Sequence, residues 1–202
     1  FEAEMTTPGA VQVAELMAAM RDNGCRACAI ETSSHALHQQ RVAGVKFAAA
    51  GFTNLTGDHL DYHQTMEAYA DAKAMLFANL AEDAVAVVNA DEEASARMTR
   101  DCKARIVSFG MKSNADYRAE DIAITANGTH FVLITPDGRA EVSMALIGRH
   151  NIENALCASA LVSETFGISV HQIAAGFRDA EGAPGRLQAV RVGQPSPVLV
   201  DY

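Results

Sequence analysis

Three side chains in this 202-residue chain have the types and settings of a candidate metal-binding and catalytic site: Glu31, His59 and Lys73. Glu31 opens the polar run Glu31-Thr-Ser-Ser-His35, and His59 lies within Thr53-Asn-Leu-Thr-Gly-Asp-His-Leu-Asp-Tyr-His63. Carboxylate and imidazole donors of this kind suit Mg²⁺ or Mn²⁺. Asp58 and Asp61, beside His59, could add oxygen ligands, or they form a solvated acidic loop in which one of them caps the helix that follows. Lys73 shares a helical face with Tyr69, Leu76, Phe77 and Leu80, where an unpaired ammonium is costly. Two readings follow. The side chain either snorkels toward the helix end, or it is a desolvated amine that takes up CO₂ and stands beside a metal as a carbamate.

The elements that must position these groups follow from hydrophobic periodicity. Val13, Leu16, Met17 and Met20 predict a helix over 9–22, stopped by Gly24. Apolar runs predict strands at 25–30, 45–52, 84–88 and 106–109. Between them fall a helix over 65–80, with Thr65 as N-cap, and another over 91–103. Continuous apolar strands alternating with helices predict an α/β fold, a mostly parallel doubly wound sheet flanked by helices. The period then changes to two over 121–126, 129–135 and 139–146, with Asn127-Gly128 and Pro136-Asp137-Gly138 between. These predict a small antiparallel sub-sheet. Helices near 151–166 and 170–179 and strands near 187–192 and 197–202 complete the chain. Open α/β sheets bind ligands beyond the carboxyl ends of their strands. The runs starting at Glu31, Thr53 and Asn89 each follow a predicted strand end.

Composition narrows the function. The formal net charge is −9 and no Lys/Arg cluster occurs, which argues against a nucleic-acid or anionic-membrane partner. No apolar run approaches the roughly 18 residues of a membrane span. Cys25 and Cys28 form one C-x-x-C that reads as two core cysteines of the strand over 25–30. With Cys102 and Cys157 they give scattered thiols, as expected in a reducing cytoplasm. Neither G-x-x-x-x-G-K-[ST] nor G-x-G-x-x-G is present, so a phosphate-cradling loop, if ATP is used, is expected outside these 202 residues. The opening at Phe1 and the apolar run Val198-Leu-Val-Asp-Tyr202 at the end read as the edges of a piece.

Taken together, Glu31-Thr-Ser-Ser-His-Ala-Leu37 with Gln39 and Arg41, Phe52 to His63, and Tyr69 to Phe77 resemble the Mur ligases, and among them the MurE type. Thr6-Thr-Pro8, His150-Asn-Ile-Glu-Asn-Ala155, Gly185-Arg186 and Val200-Asp-Tyr202 extend the resemblance along the whole chain, while Gly57 and His150 depart from the usual residues. The resemblance implies that 1–202 is the central ATP- and substrate-binding domain of a three-domain ligase. The N-terminal UDP-binding domain, the Walker loop and the C-terminal domain would lie elsewhere in the protein. It implies an enzyme that activates a carboxylate of UDP-MurNAc-L-Ala-D-Glu with ATP as an acyl phosphate. That intermediate is then joined to a free amino acid, meso-diaminopimelate or L-lysine, in peptidoglycan synthesis. By motif, Thr6, Thr7, Ser33, Gln39 and Arg41 would meet the UDP-MurNAc-dipeptide. Glu31, His59 and carbamylated Lys73 would serve Mg²⁺ and catalysis, and Asn151, Asn154, Arg186 and Asp201 the nucleotide. This piece alone is expected to be inactive. Two alternatives stay open: a folylpolyglutamate synthase-like ligase and a non-catalytic nucleotide-binding module.

Overall fold

The computed structural model describes residues 5–57, 60–112, 114–180, 182, 188–190 and 198–200. The chain divides into two compact units, the first made of 1–50, 54–86 and 93–105 and the second of 51–53, 87–92 and 106–202. His59, Arg186 and Asp201 lie outside the described residues.

Six strands form one sheet in sequence order: β1 (Ala49–Phe52), β2 (Val85–Asn89), β3 (Arg105–Gly110), β4 (Tyr117–Thr125), β5 (Gly128–Thr135) and β6 (Gly138–Met144). The sheet is mostly parallel with an antiparallel portion, as expected. Every residue of β2 is buried, which accounts for its unbroken apolar reading. β3 and β4 pair in parallel across only six intervening residues, although a parallel crossover usually needs a dozen or more. The short link suffices because only Phe109 with Tyr117 and Gly110 with Arg118 are in register, so the end of β3 meets the start of β4. The Asp116 carboxylate fastens this corner by accepting the Ser108 N–H at 2.8 Å and its hydroxyl at 2.6 Å.

The antiparallel portion β4–β5–β6 turns twice by the same device. In Thr125-Ala-Asn-Gly128 the threonine hydroxyl accepts the Asn127 N–H and donates to the Gly128 carbonyl. In Thr135-Pro-Asp-Gly138 the hydroxyl accepts the Asp137 N–H and donates to the Gly138 carbonyl. Gly128 and Gly138 have φ of 143° and 144°, a region that L side chains rarely adopt. The two residues between each threonine and glycine keep negative φ. The glycines therefore sit just after the turn's central pair, an arrangement of type I turns.

In the first unit, α1 (Ala10–Asp22), α2 (Ser34–His38), α3 (Leu60–His63), α4 (Met66–Ala78) and α5 (Ser95–Thr99) supply the helices, with α2 and α5 both packed on α4. Thr65 caps α4 as expected, accepting the Ala68 N–H at 3.1 Å. In the second unit, α6 (Arg149–Phe166) packs on β4 and β5, and α7 (Val170–Arg178) on β5 and β6. Short β7 (Gln188–Val190) and β8 (Val198–Val200) pair antiparallel as a separate two-stranded ladder.

Three expectations are corrected. Residues 25–30 join no ladder, and Cys25 and Cys28 are exposed, not core thiols. An apolar run becomes a strand only if a neighbour takes its N–H and C=O groups, and β1 is the terminal strand of the six. The strand over 45–52 shortens to β1. The helix over 91–103 shrinks to α5, because Asp91 is held in a different role: its carboxylate accepts the Met111 and Lys112 N–H groups at 2.6 and 2.9 Å.

Candidate functional site

Thr7 organises the loop that carries Glu31. Its hydroxyl donates to the Glu31 carbonyl at 2.8 Å and accepts the Ser33 N–H at 3.1 Å. Thr7 is 0% exposed, so in this structure its hydroxyl holds the scaffold, while neighbouring Thr6 is exposed. The side chain of Glu31 is left outward and exposed. Ser33 then caps α2, its hydroxyl accepting the Ala36 N–H at 3.2 Å.

Arg41 closes the same loop from the far end of α2. One guanidinium nitrogen donates to the Thr7 carbonyl at 3.0 Å, and two others form a fork on the Gln39 side-chain oxygen. The Gln39 amide donates in turn to the Tyr62 hydroxyl at 3.3 Å, which also pairs with His38 Nδ1 at 2.8 Å. Four of the five residues expected to meet substrate, Thr7, Ser33, Gln39 and Arg41, thus belong to one hydrogen-bonded loop.

Behind this loop lies a group of rings that the sequence did not single out. His35 lies 4.1 Å from Tyr62 between ring centroids, the planes tilted by 42°, and His63 lies 4.8 Å from Tyr62 and 5.5 Å from Tyr69. Lys73 Nζ lies 5.2 Å from the Tyr69 ring centroid. That face of a phenol ring attracts a cation, which explains how a half-buried lysine is tolerated among buried Tyr69, Phe77 and Leu80. The snorkelling reading is thereby sharpened: the ammonium rests on a ring of its own helix. Only Ser33 as a cap and the crowding of rings in His35, His38, Tyr62 and His63 could have signalled this cluster.

Among the described residues no group of three or more His, Cys, Asp or Glu could hold a metal. This does not conflict with Mg²⁺, which is usually held by one or two carboxylates together with substrate phosphates and water. The exposed carboxylate of Glu31 fits that role by its hard oxygen donors. Lys73 would fit only as a carbamate, after leaving the face of Tyr69.

The second unit holds Asn151 and Asn154, the two expected nucleotide residues that are described. Asn151, in the first turn of α6, donates to the Ile147 carbonyl at 2.9 Å, and Asn154 is exposed one turn on. Between them Glu153 has its carboxyl pushed above the usual range, first by burial and then by the charges of Asp91 and Glu92. Lys112 and Arg149 pull the other way. Asp91 is oriented by its N–H donating to the Asn89 side chain at 3.0 Å, and Asn89 donates to the Thr53 carbonyl.

The sequence of residues 1–162 matches the family model described as the Mur ligase middle domain. The chain belongs to the Mur ligase family. A UDP-N-acetylmuramoyl-L-alanyl-D-glutamate–2,6-diaminopimelate ligase of Bacillus licheniformis is 41% identical over 208 residues, covering 100% of this chain and 42% of the relative. The corresponding ligase of Geobacillus kaustophilus is 42% identical with the same coverage. A solved structure of a ligase of that name superposes with a TM-score of 0.82 at 32% identity, over 91% of this chain and 38% of that one. This Mur ligase chain therefore spans under half the length of the curated relatives it matches. No described helix in it is long and apolar enough to cross a membrane.

Proposed function

We propose that this Mur ligase chain is the central domain of an ATP-dependent acid–amino-acid ligase that extends UDP-MurNAc-L-Ala-D-Glu by one amino acid. The observation that carries the reading is its 41% identity, along its entire length, to a ligase named for that substrate. The Thr7–Glu31–Ser33 loop supports it by holding Glu31 outward on a fixed main chain. A carboxylate oxygen of the dipeptide attacks the γ-phosphorus of ATP, and the bond to ADP breaks. The amine of the incoming amino acid then attacks the acyl carbon. Phosphate leaves with the carboxylate oxygen, the amine gives up a proton, and an amide remains. 2,6-Diaminopimelate, the amino acid in the relatives' name, is the first candidate and L-lysine the second.

In this reading Thr6, Ser33, Gln39 and Arg41 orient the dipeptide, with Thr7 shaping their loop. Glu31, His59 and Lys73 as a carbamate would hold Mg²⁺, and Asn151, Asn154, Arg186 and Asp201 would meet the nucleotide. Mg²⁺, when bound, neutralises phosphate charge. The N- and C-terminal domains and the phosphate-cradling loop would come from the rest of a longer cytoplasmic protein, and this chain alone would be inactive. The test is phosphate release by the longer protein with ATP, Mg²⁺, UDP-MurNAc-dipeptide and each amino acid in turn. Release that requires both the dipeptide and one amino acid is expected. Release driven by a folate and glutamate, or nucleotide binding without turnover, would favour the two alternatives.

A further inference from the structure

We propose that His63 is a positioning residue that locks the substrate loop to the helix carrying Lys73; this rests on the ligase reading above. His63 Nε2 pairs with Ser34 Oγ at 3.0 Å, and both residues are buried, 8% and 1% exposed. Ser34 is the first residue of α2, directly after the Ser33 cap whose N–H is held by Thr7. On its other side the imidazole packs against Tyr69 of α4, the ring over which Lys73 Nζ lies. One buried side chain therefore touches both the start of α2 and the seat of Lys73.

The chemistry of the pair says why an imidazole stands there. A five-residue helix has too little intrinsic stability to fix its own orientation, so α2 depends on tertiary contacts. An apolar residue at 63 would fill the space between α2 and α4 but permit them to rotate past one another. A buried polar pair favours one register, since any slip breaks a hydrogen bond between two desolvated groups. A serine beside an imidazole also has the look of a nucleophile and its base. Here Ser34 is sealed from any substrate, so the bond serves geometry.

The experiment uses the full-length ligase with His63→Phe, which keeps a ring but loses the bond, His63→Gln, which keeps a polar reach, and Ser34→Ala. Steady-state kinetics and thermal midpoints are measured for each variant. We expect kcat of His63→Phe to fall about tenfold or more, KM for ATP to stay within about threefold, and His63→Gln to recover most of the loss. Ser34→Ala should lose a similar factor, and the double variant Ser34→Ala/His63→Phe no more than either single one. A kcat within about twofold of the unsubstituted enzyme in His63→Phe, whatever its midpoint, overturns the proposal, as does full additivity in the double variant. Should His63→Phe fail to fold, Ser34→Ala decides alone by the same threshold. An unsubstituted enzyme that does not ligate sinks the ligase reading itself, whereas an active one with indifferent variants sinks only the role of His63.

Discussion

The hydroxyl of Thr7 is bonded to the main chain on both sides of Thr32, donating to the Glu31 carbonyl at 2.8 Å and accepting the Ser33 N–H at 3.1 Å. Thr7 and Glu31 are 24 positions apart in the sequence, so a long-range contact sets the local path of the loop. Replacing Thr7 with the near-isosteric Val leaves a carbonyl and an N–H unmatched beside a fully buried site. Each such loss costs about 1–3 kcal/mol. We expect Thr7→Val to lower stability in urea unfolding by that order while Thr7→Ser stays close to wild type. Equal stability of both variants would mean the loop does not depend on the hydroxyl.

Gly51 in β1 has no room for a side chain. A Cβ there would meet Cys157 Sγ at 2.8 Å and Leu161 at 3.1 Å. Overpacking of this kind typically costs about 1–3 kcal/mol. Gly51→Ala should destabilise, and adding Cys157→Ala should restore part of the loss by vacating the space. A double variant no better than the sum of the two singles would contradict the contact. Cys157, whose thiol burial pushes up to about 12, should also resist alkylation in the folded chain while exposed Cys25 and Cys28 react.

Tyr117 gives a pH dependence of known sign. Burial first, and the neighbouring Glu164 carboxylate after it, hold its phenol far above the usual value, and its hydroxyl donates to Glu164 at 2.7 Å. A raised acid contributes stability that is complete below the unfolded pKa of about 10 and is lost as pH climbs beyond it, because the unfolded chain ionises first. Tyr117→Phe should be less stable than wild type near neutrality by ~1 kcal/mol. The gap should narrow above about pH 10 in urea titrations. A constant gap would refute the shift.

Lys73 Nζ lies over the Tyr69 ring, and in the proposed ligase it would act as a carbamate beside Mg²⁺. In the full-length enzyme Lys73→Ala should lose activity by about 100-fold or more, as removal of an electrostatic group at a reacting phosphate typically does. A short added carboxylic acid should restore part of it by supplying the missing anion. Unchanged turnover in Lys73→Ala, measured by phosphate release, would return the residue to a purely structural seat.

Much of this was legible in the sequence, and the limits have physical causes. The turns at Thr125–Gly128 and Thr135–Gly138 and the cap at Thr65 are local devices, encoded within four residues each. They were readable because nothing distant competes with them. Whether Cys25 to Ile30 forms a strand depends on a neighbour that periodicity cannot reveal. Asp91 looked like the start of a helix, yet its carboxylate is held by amides 20 and 21 residues away. The ring cluster escaped notice because α2 and α3 are too short, at five and four residues, to show a helical period. Four of the five residues expected to meet substrate share one loop, yet the place of Thr7 within it, as scaffold, comes from its burial and from bonds to residues 24 and 26 positions away.

If this domain serves a carboxylate activation through an acyl phosphate, an oxygen of that carboxylate must leave with the phosphate, and oxygen labelling follows it. UDP-MurNAc-L-Ala-D-Glu carrying ¹⁸O in the reacting carboxylate is incubated with the full-length protein, ATP, Mg²⁺ and 2,6-diaminopimelate or L-lysine, and the phosphate released is weighed by mass spectrometry. One ¹⁸O per phosphate is expected, formed in step with an amide-linked product carrying the other. Unlabelled phosphate alongside product, or no product with either amino acid, would contradict it.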